Sequence, residues 1–475
     1  MKQAMSLAAA LAMALSAQAQ TSAQGATRDP RLQQVLADIS AQRVEAHIRK
    51  LASFGTRHTL SDAQSETRGI GAARRWIAAE LEACSKAAGG RLQVQMQSFI
   101  EPAGTRMPHP AELVNVVATL PGTSPTSKDR LLVVSGHYDS RNTDVMDASG
   151  DAPGANDDAS GVAAVMEMAC AMAGQRFDAT LVFMAVPGEE QGLLGAAQFA
   201  REARRQGLNV EAMITNDIIG SSHGDQGQHN PKLVRLFAEG MDPLARDYLK
   251  PYKDARATPE ELANVNAAYA NLRQLLQAGA VRDLPTDEFG RYVKIAGERY
   301  LPGFTVELIQ RRDRYLRGGD HIPFLERGYT AVRMSEPVEN FDHQHQNLRT
   351  ENGRVYGDLP EFVDYAYVAD VARINAAALG SLALAPAAPV NVRLEATELT
   401  NDSTLSWDLS TDPAVAGYRV VWRSLGSPAW QNSQDVGRVA QIRLPVSKDN
   451  VVFGVQALSK SGQASLASYP LPLRR

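Results

Sequence analysis

Four short segments carry residues that could do chemistry together. SGHYDS (135–140) supplies His137 and Asp139, PGANDDASG (153–161) supplies Asp157 and Asp158, PGEEQGLLG (187–195) supplies Glu189 and Glu190, and TNDIIG (215–220) supplies Asp217. Singly, each has an ordinary structural explanation. His137 suits a satisfied histidine at a strand end, and Asp157 and Asp158 suit the cap of the apolar helix that follows. Glu189 and Glu190 suit a solvated loop, and Asp217 a turn. Together they pose a conflict, because carboxylates crowded into one place repel one another and resist burial. A divalent cation resolves it. An imidazole with carboxylates and no cysteine suits zinc in a catalytic role, with coordination positions left open for water.

The elements around these segments must bring them together. LLVVSG (131–136) is a continuous apolar run, as a buried central strand requires. GVAAVMEMACAMA (161–173) reads as a helix, TLVFMAVPG (180–188) as a strand, LLGAAQFAREARR (193–205) as a helix and VEAMITNDIIG (210–220) as a strand. This alternation predicts an α/β fold, a mostly parallel mixed sheet with helices on both faces. Such sheets place their sites outside the carboxyl ends of the strands. Three of the four segments fall at strand ends, and the fourth opens the helix at 161. Upstream, LQVQMQSF (92–99) and ELVNVVATLPG (112–122) predict two more strands, preceded by helical text that stops at Gly89-Gly90. Residues 228–300 break the rhythm with charged helical text and read as an insertion or lid. The α/β pattern resumes with FTVELIQ (304–310) and TAVRMSE (330–336) and closes on a helix over 364–383.

At 475 residues the chain is too long for one core. A net charge of −4 with no dense Lys/Arg run excludes the basic footprint of a nucleic-acid binder. Residues 1–19 follow the grammar of a signal peptide, with Lys2, a short apolar run and Ala17-Gln18-Ala19 as the cleavage site. That run is too short to span a bilayer, and no later window is long enough, so the mature protein is expected in the periplasm or the medium. Cys84 and Cys170, both in helical text, could form a disulfide in an exported protein or remain two buried thiols. Neither stands in a Cys/His cluster. ALAPAAPVNV (383–392) is a Pro/Ala hinge, beyond which 388–475 reads as short strands carrying Trp407, Trp422 and Trp430, an all-β sandwich.

In order and spacing, the four segments resemble the co-catalytic di-zinc aminopeptidases related to bacterial leucyl aminopeptidase and aminopeptidase Y, over about residues 40–382. The resemblance implies two Zn2+ per chain, with His137 and Asp217 on one ion and Asp157 bridging both. Glu190 would hold the second ion together with a late histidine. It also implies that Asp139 hydrogen-bonds His137 and fixes its tautomer, that Glu189 is the general base, and that the Asp157–Asp158 peptide is cis. The late histidine stands in a Tyr-His-Thr-like segment in the family. Here NFDHQHQN (340–347) offers His343 and His345, neither followed by threonine, and His345 is the expected ligand. GGDHIPF (318–324) resembles the family's Ser-Asp-His-x-x-Phe segment, which assigns Asp320 and His321 to the pocket wall. His47, His58, His109, His223 and His229 are read as structural or surface residues.

The implied organisation is a leader (1–19), a zinc exopeptidase domain (20–382) and a β-sandwich (388–475). TLSWDLS, AGYRVVWR and FGVQALSKSGQAS give the sandwich a resemblance to fibronectin type III modules, with Trp407 and Tyr418 as core aromatics and a packing or spacer role. The implied activity is removal of N-terminal amino acids from peptides with a free amino terminus. Three alternatives share the fold: a carboxypeptidase with the same two metals, a glutaminyl cyclase with one zinc, and a metal-free adhesion or receptor ectodomain.

Overall fold

A computed structural model of the chain describes residues 28–239, 250–280 and 282–473, so the expected leader lies outside the described residues. The chain divides into two compact units, one of 30–274 with 284–380, the other of 275–283 with the chain from 381 onward.

The first unit is built on β1 (Gln93–Glu101), β2 (Ala111–Leu120), β3 (Arg130–His137), β4 (Thr180–Val186), β5 (Asn209–Asn216), β6 (Leu233–Ala238), β7 (Thr305–Gln310) and β8 (Ala331–Ser335). They form one sheet in the order β1-β2-β4-β3-β5-β8-β6-β7. The central strands β4, β3, β5 and β8 run parallel, while β2 and β6 join them antiparallel. The sheet is therefore mixed with a parallel centre, in the predicted α/β class. Every residue of β4 is buried, which is why its text is apolar without alternation.

Helices α1 (Pro30–Asp38), α2 (Ala41–Ala52) and α3 (Gly69–Ala87) pack on α4 (Ala159–Met172), and α4 packs on β3. Enclosed in this way, α4 is buried nearly all round, and its sequence is hydrophobic on every face. Cys84 of α3 and Cys170 of α4 are joined by a disulfide, with Cα atoms 5.2 Å apart. Helix α5 (Leu194–Arg205) buries Ala196, Ala200 and Ala203, small residues on one face, over Val182, Met184 and Val186 of β4. The remaining helices are α6 (Pro259–Gln277), α7 (Pro285–Tyr300), α8 (Ile322–Glu326) and α9 (Tyr365–Ala383).

Residues 228–300 do not form a simple insertion or lid, because β6 pairs with β8 inside the main sheet, and α7 packs on β6, β7 and β8. The strand escapes sequence reading because LVRLFA is short and Arg235 interrupts its apolar run. No helix among the described residues is long and apolar enough to cross a membrane.

In the second unit, β11 (Arg393–Glu395), β12 (Ser403–Ser406), β15 (Gln441–Leu444) and β17 (Leu471–Leu473) form one sheet. The other holds β13 (Val415–Arg423), β14 (Asn432–Gly437) and β16 (Val452–Ser459). The small strands β9 (Arg349–Glu351) and β10 (Arg354–Tyr356) belong to the first unit as a hairpin. Trp407, Tyr418, Leu405, Val420, Phe453 and Val455 make the core of the second unit, with the Trp407 and Tyr418 rings 5.4 Å apart. Buried Arg423 pairs with Asp283 and donates to the carbonyls of Ser424, Leu425 and Ser427, which satisfies a cation otherwise costly to bury. The strands β14 and β17 have no counterpart in the sequence reading. One is polar (NSQDVG), and the other has three residues and a central proline.

Candidate metal centre

The register of the parallel strands sets the site. His137 stands opposite Val186, and Ser135 opposite Thr215, so β3, β4 and β5 end at one level. The chain leaves β3 for β4 on one side and returns to β5 on the other, which opens a crevice at the switch point. The first turn of α4 closes against it. A Cβ on Gly161 would stand 2.3 Å from the Asn216 carbonyl oxygen, and one on Gly136 would stand 2.5 Å from the Gly161 carbonyl carbon. Only glycines allow that approach. Asp158 caps α4 by accepting from the Gly161 N–H at 3.0 Å, and its other oxygen accepts from the His137 N–H at 2.9 Å. One carboxylate thus fastens helix to strand. The Asp157–Asp158 peptide is cis.

Two groups of ligand-type atoms meet here, His137 with Asp157 and Asp217, and Asp157 with Glu190 and His345. His137 Nε2 is 3.1 Å from Asp157 Oδ1 and 3.9 Å from Asp217 Oδ1. On the other side, His345 Nε2 is 2.8 Å from Asp157 Oδ2 and 2.9 Å from Glu190 Oε1. The two oxygens of Asp157 therefore face different groups. His137 Nε2, Glu190 Oε1 and His345 Nε2 are buried at these short distances, yet none has hydrogen-bond alignment. Lone-pair donors converging from several sides are what a cation site requires, so the residues fit a pair of metal ions.

Supporting groups hold the ligands in place. His137 Nδ1 lies 3.2 Å from the Asp139 carbonyl oxygen and 3.4 Å from its carboxylate. The same carboxylate accepts the N–H groups of Glu189 (3.3 Å) and Glu190 (3.2 Å) and the hydroxyl of Thr59 (3.0 Å). Asp139 therefore orients the imidazole and the acidic loop at once. Burial works against a charged Asp157, but His345 and His137 outweigh it and hold the carboxyl well below the usual range. Burial pushes Glu189 well up, and the negative charges of Asp217, Glu190 and Asp320 add to the effect. Glu189 lines the cleft and belongs to neither ligand group.

Asp320 is buried close enough to feel the charges of His137, Asp139 and Asp217, and burial pushes it up to about 7. His321 bonds through Nε2 to the Arg312 carbonyl at 2.7 Å. Neither belongs to a ligand group. His343 stacks on Phe362 with ring centroids 3.7 Å apart and takes no part either. His58 is buried against the Val145 carbonyl and Gln191, and His223 stacks on His229.

Three residues at the site escaped sequence reading. Fully buried Arg333 of β8 places Nη2 3.0 Å from Asp217 Oδ1 and Nη1 2.9 Å from Asp313 Oδ2. Its one signal is a charge within apolar strand text (AVRMS). Asp358 accepts the N–H groups of Asn156 and Asp157, both at 2.7 Å, and so clamps the backbone of the aspartate that the two groups share. Burial pushes its carboxyl up to about 7. Buried Arg57 donates to the carbonyl of Leu51 at the end of α2 and to those of Tyr138, Pro153 and Gly154 in the segment between β3 and α4, and so ties the helix to that segment. A lone Asp or Arg in loop text carries no pattern.

A parallel-centred sheet whose strand ends gather two ligand groups around one shared aspartate defines a metal-dependent hydrolase. The family model for peptidase family M28 matches residues 115–267. A probable zinc metalloprotease of Leptosphaeria maculans is 47% identical over 93% of this chain and 97% of its own length. Another, of Pyricularia oryzae, is 46% identical over 94% and 85% respectively. The solved LapA aminopeptidase of Legionella pneumophila aligns with a TM-score of 0.49 at 16% identity, over 76% of this chain and 77% of that one. The chain belongs to peptidase family M28 and is a zinc metallopeptidase.

Proposed function

We propose that the protein is an exported aminopeptidase that uses two zinc ions to hydrolyse the N-terminal bond of peptides. The observation that carries this reading is Asp157, whose two oxygens face separate ligand groups with Glu189 beside them and outside both. His137, Asp157 and Asp217 would hold one ion, and Asp157, Glu190 and His345 the other. When bound, such a pair polarises the scissile carbonyl and makes water acidic enough to attack near neutral pH.

The remaining work falls to the chain. Glu189, raised by burial among carboxylates, takes a proton from the attacking water and returns it to the leaving amine. Asp139 keeps both glutamates at the cleft through their N–H groups. Arg333 offsets the charge of Asp217 on the side away from water. The cleft beside Glu189 has a volume of about 390 Å³. The choice of the amino end rests on the resemblance of the four motifs to leucyl aminopeptidase and aminopeptidase Y. Export is supported by the leader grammar of 1–19 and by the Cys84–Cys170 disulfide, a bond of oxidising compartments. The two-sheet C-terminal unit is proposed as a fibronectin type III-like spacer.

A panel of aminoacyl p-nitroanilides, tested beside N-blocked and carboxyl-terminal substrates with and without chelator, checks the reading. Chelator-sensitive release from free amino termini, with two zinc ions per chain by elemental analysis, is the expected result. Activity that survives chelation, or occurs only on blocked amino termini, would overturn it.

A further inference from the structure

The cleft that exposes Glu189 and the ligand carboxylates is also lined by Arg106, Arg141, Arg314 and Arg317. They arrive from three separate loops, between β1 and β2, after β3, and after β7. The carboxylates lining the same cleft are Asp157, Glu189, Glu190 and Asp217. Two divalent cations would match those four in formal charge, which leaves the arginines in excess.

What the arginines touch decides whether that excess is already answered. Arg106 donates to the Glu190 carbonyl oxygen at 2.7 Å. Arg141 donates to the carbonyls of Asn142 (3.0 Å) and Thr143 (3.2 Å), and its Nη1 lies 3.9 Å from Glu190 Oε2. Carbonyl oxygens fix a guanidinium in place without cancelling its charge. Only Arg314 has close carboxylates, Glu339 at 2.9 Å and Asp313 at 3.4 Å. Arg317 is exposed, and no side-chain partner for it occurs among the described residues. A peptide with no negative charge would enter a cleft whose positive groups repel its ammonium and gain nothing from them. Guanidinium groups open to the cleft, two of them held in place and Arg317 free to reach, match a carboxylate in charge and fork geometry. Arg106 and Arg141 both touch Glu190, so this carboxylate would sit within a residue or two of the scissile bond.

We propose that the enzyme selects peptides bearing a carboxylate next to the scissile bond, held by Arg141 and Arg317 with Arg106 alongside. The inference rests on the metallopeptidase reading of the same site. The carboxylate has two possible sources, an acidic side chain or the terminal α-carboxylate of a dipeptide.

The test compares kcat/KM of the zinc-loaded enzyme on Ala-Glu-amide with Ala-Gln-amide, and on Ala-Ala with Ala-Ala-amide. The first pair reads a side-chain carboxylate and the second a terminal one. A preference of about 10- to 100-fold for the charged member of one pair is expected, the range for a hydrogen bond to a charged group. It should shrink several-fold or more in Arg317→Gln and in Arg141→Gln. Ratios within two-fold in both pairs, or a preference unmoved in both variants, would overturn the proposal. Chelator-sensitive hydrolysis of the neutral members with no charge preference sinks this inference and leaves the peptidase reading standing. If no member is hydrolysed, the aminopeptidase reading fails. Calorimetric binding of glutarate against glutaramide, in wild type and Arg317→Gln, then judges the arginine cleft alone. Weaker glutarate binding in the variant supports it, and equal binding overturns it.

Discussion

Glu189 and Glu190, for which different tasks are proposed, are neighbours in the chain, and one side chain, Asp139, holds both of their backbone N–H groups. The Glu190 side chain reaches His345, and Glu189 lines the cleft. Glu189→Gln keeps the size and the hydrogen-bonding capacity of the side chain but removes the base. Turnover should fall by about 10²–10⁴-fold with zinc content unchanged. Paired kinetics and elemental analysis check this, and a fall of less than ten-fold would remove Glu189 as base. The residues that sequence reading found are those in compact motifs, where several reactive types stand together. Arg333, Asp358 and Arg57 act as single residues from distant segments, so only the folded chain brings them to the site. His345 was one of two candidates. Its loop turns it to Asp157 and Glu190 while His343 stacks on Phe362, a difference of backbone path that no composition reports.

Helix α4 carries the first turn of the site at one end and the disulfide at the other. The bond ties it to α3 across 86 residues of chain. Closing a loop of that length removes much of the unfolded chain's freedom, and a value of about 2–5 kcal/mol is typical for native bridges. Cys84→Ser with Cys170→Ser should lower stability by that order, read by denaturant unfolding, and reductant should do the same to the unmutated protein. A change under about 0.5 kcal/mol would show that the packing of α4 alone fixes its position. The central elements were legible because burial on both faces makes strands such as β4 apolar throughout. By contrast, β6 was not, since a strand toward the sheet edge tolerates Arg235 and stays short. The bonding of the two cysteines depended on helix packing that periodicity alone does not describe.

Across the whole molecule, two hydrophobic cores of separate composition hold two units. Metal binding adds stability only to the unit that holds the ligands. Chelation should therefore lower the unfolding temperature of the first unit, while Trp407→Ala should lower that of the second by the equivalent of about 3–5 kcal/mol. Scanning calorimetry reads both, and a single transition shifted by both treatments would refute the division. The proposed ligand set also has an order in time, because a chain is made from its amino end. Once β3 to β5 have formed, a growing chain already owns His137, Asp157, Glu189, Glu190 and Asp217. His345 arrives only after β8, when most of the catalytic unit has been synthesised. Until then the second oxygen of Asp157 faces an incomplete group. On the proposed assignment, the second ion would have no complete set of ligands until that segment has been made.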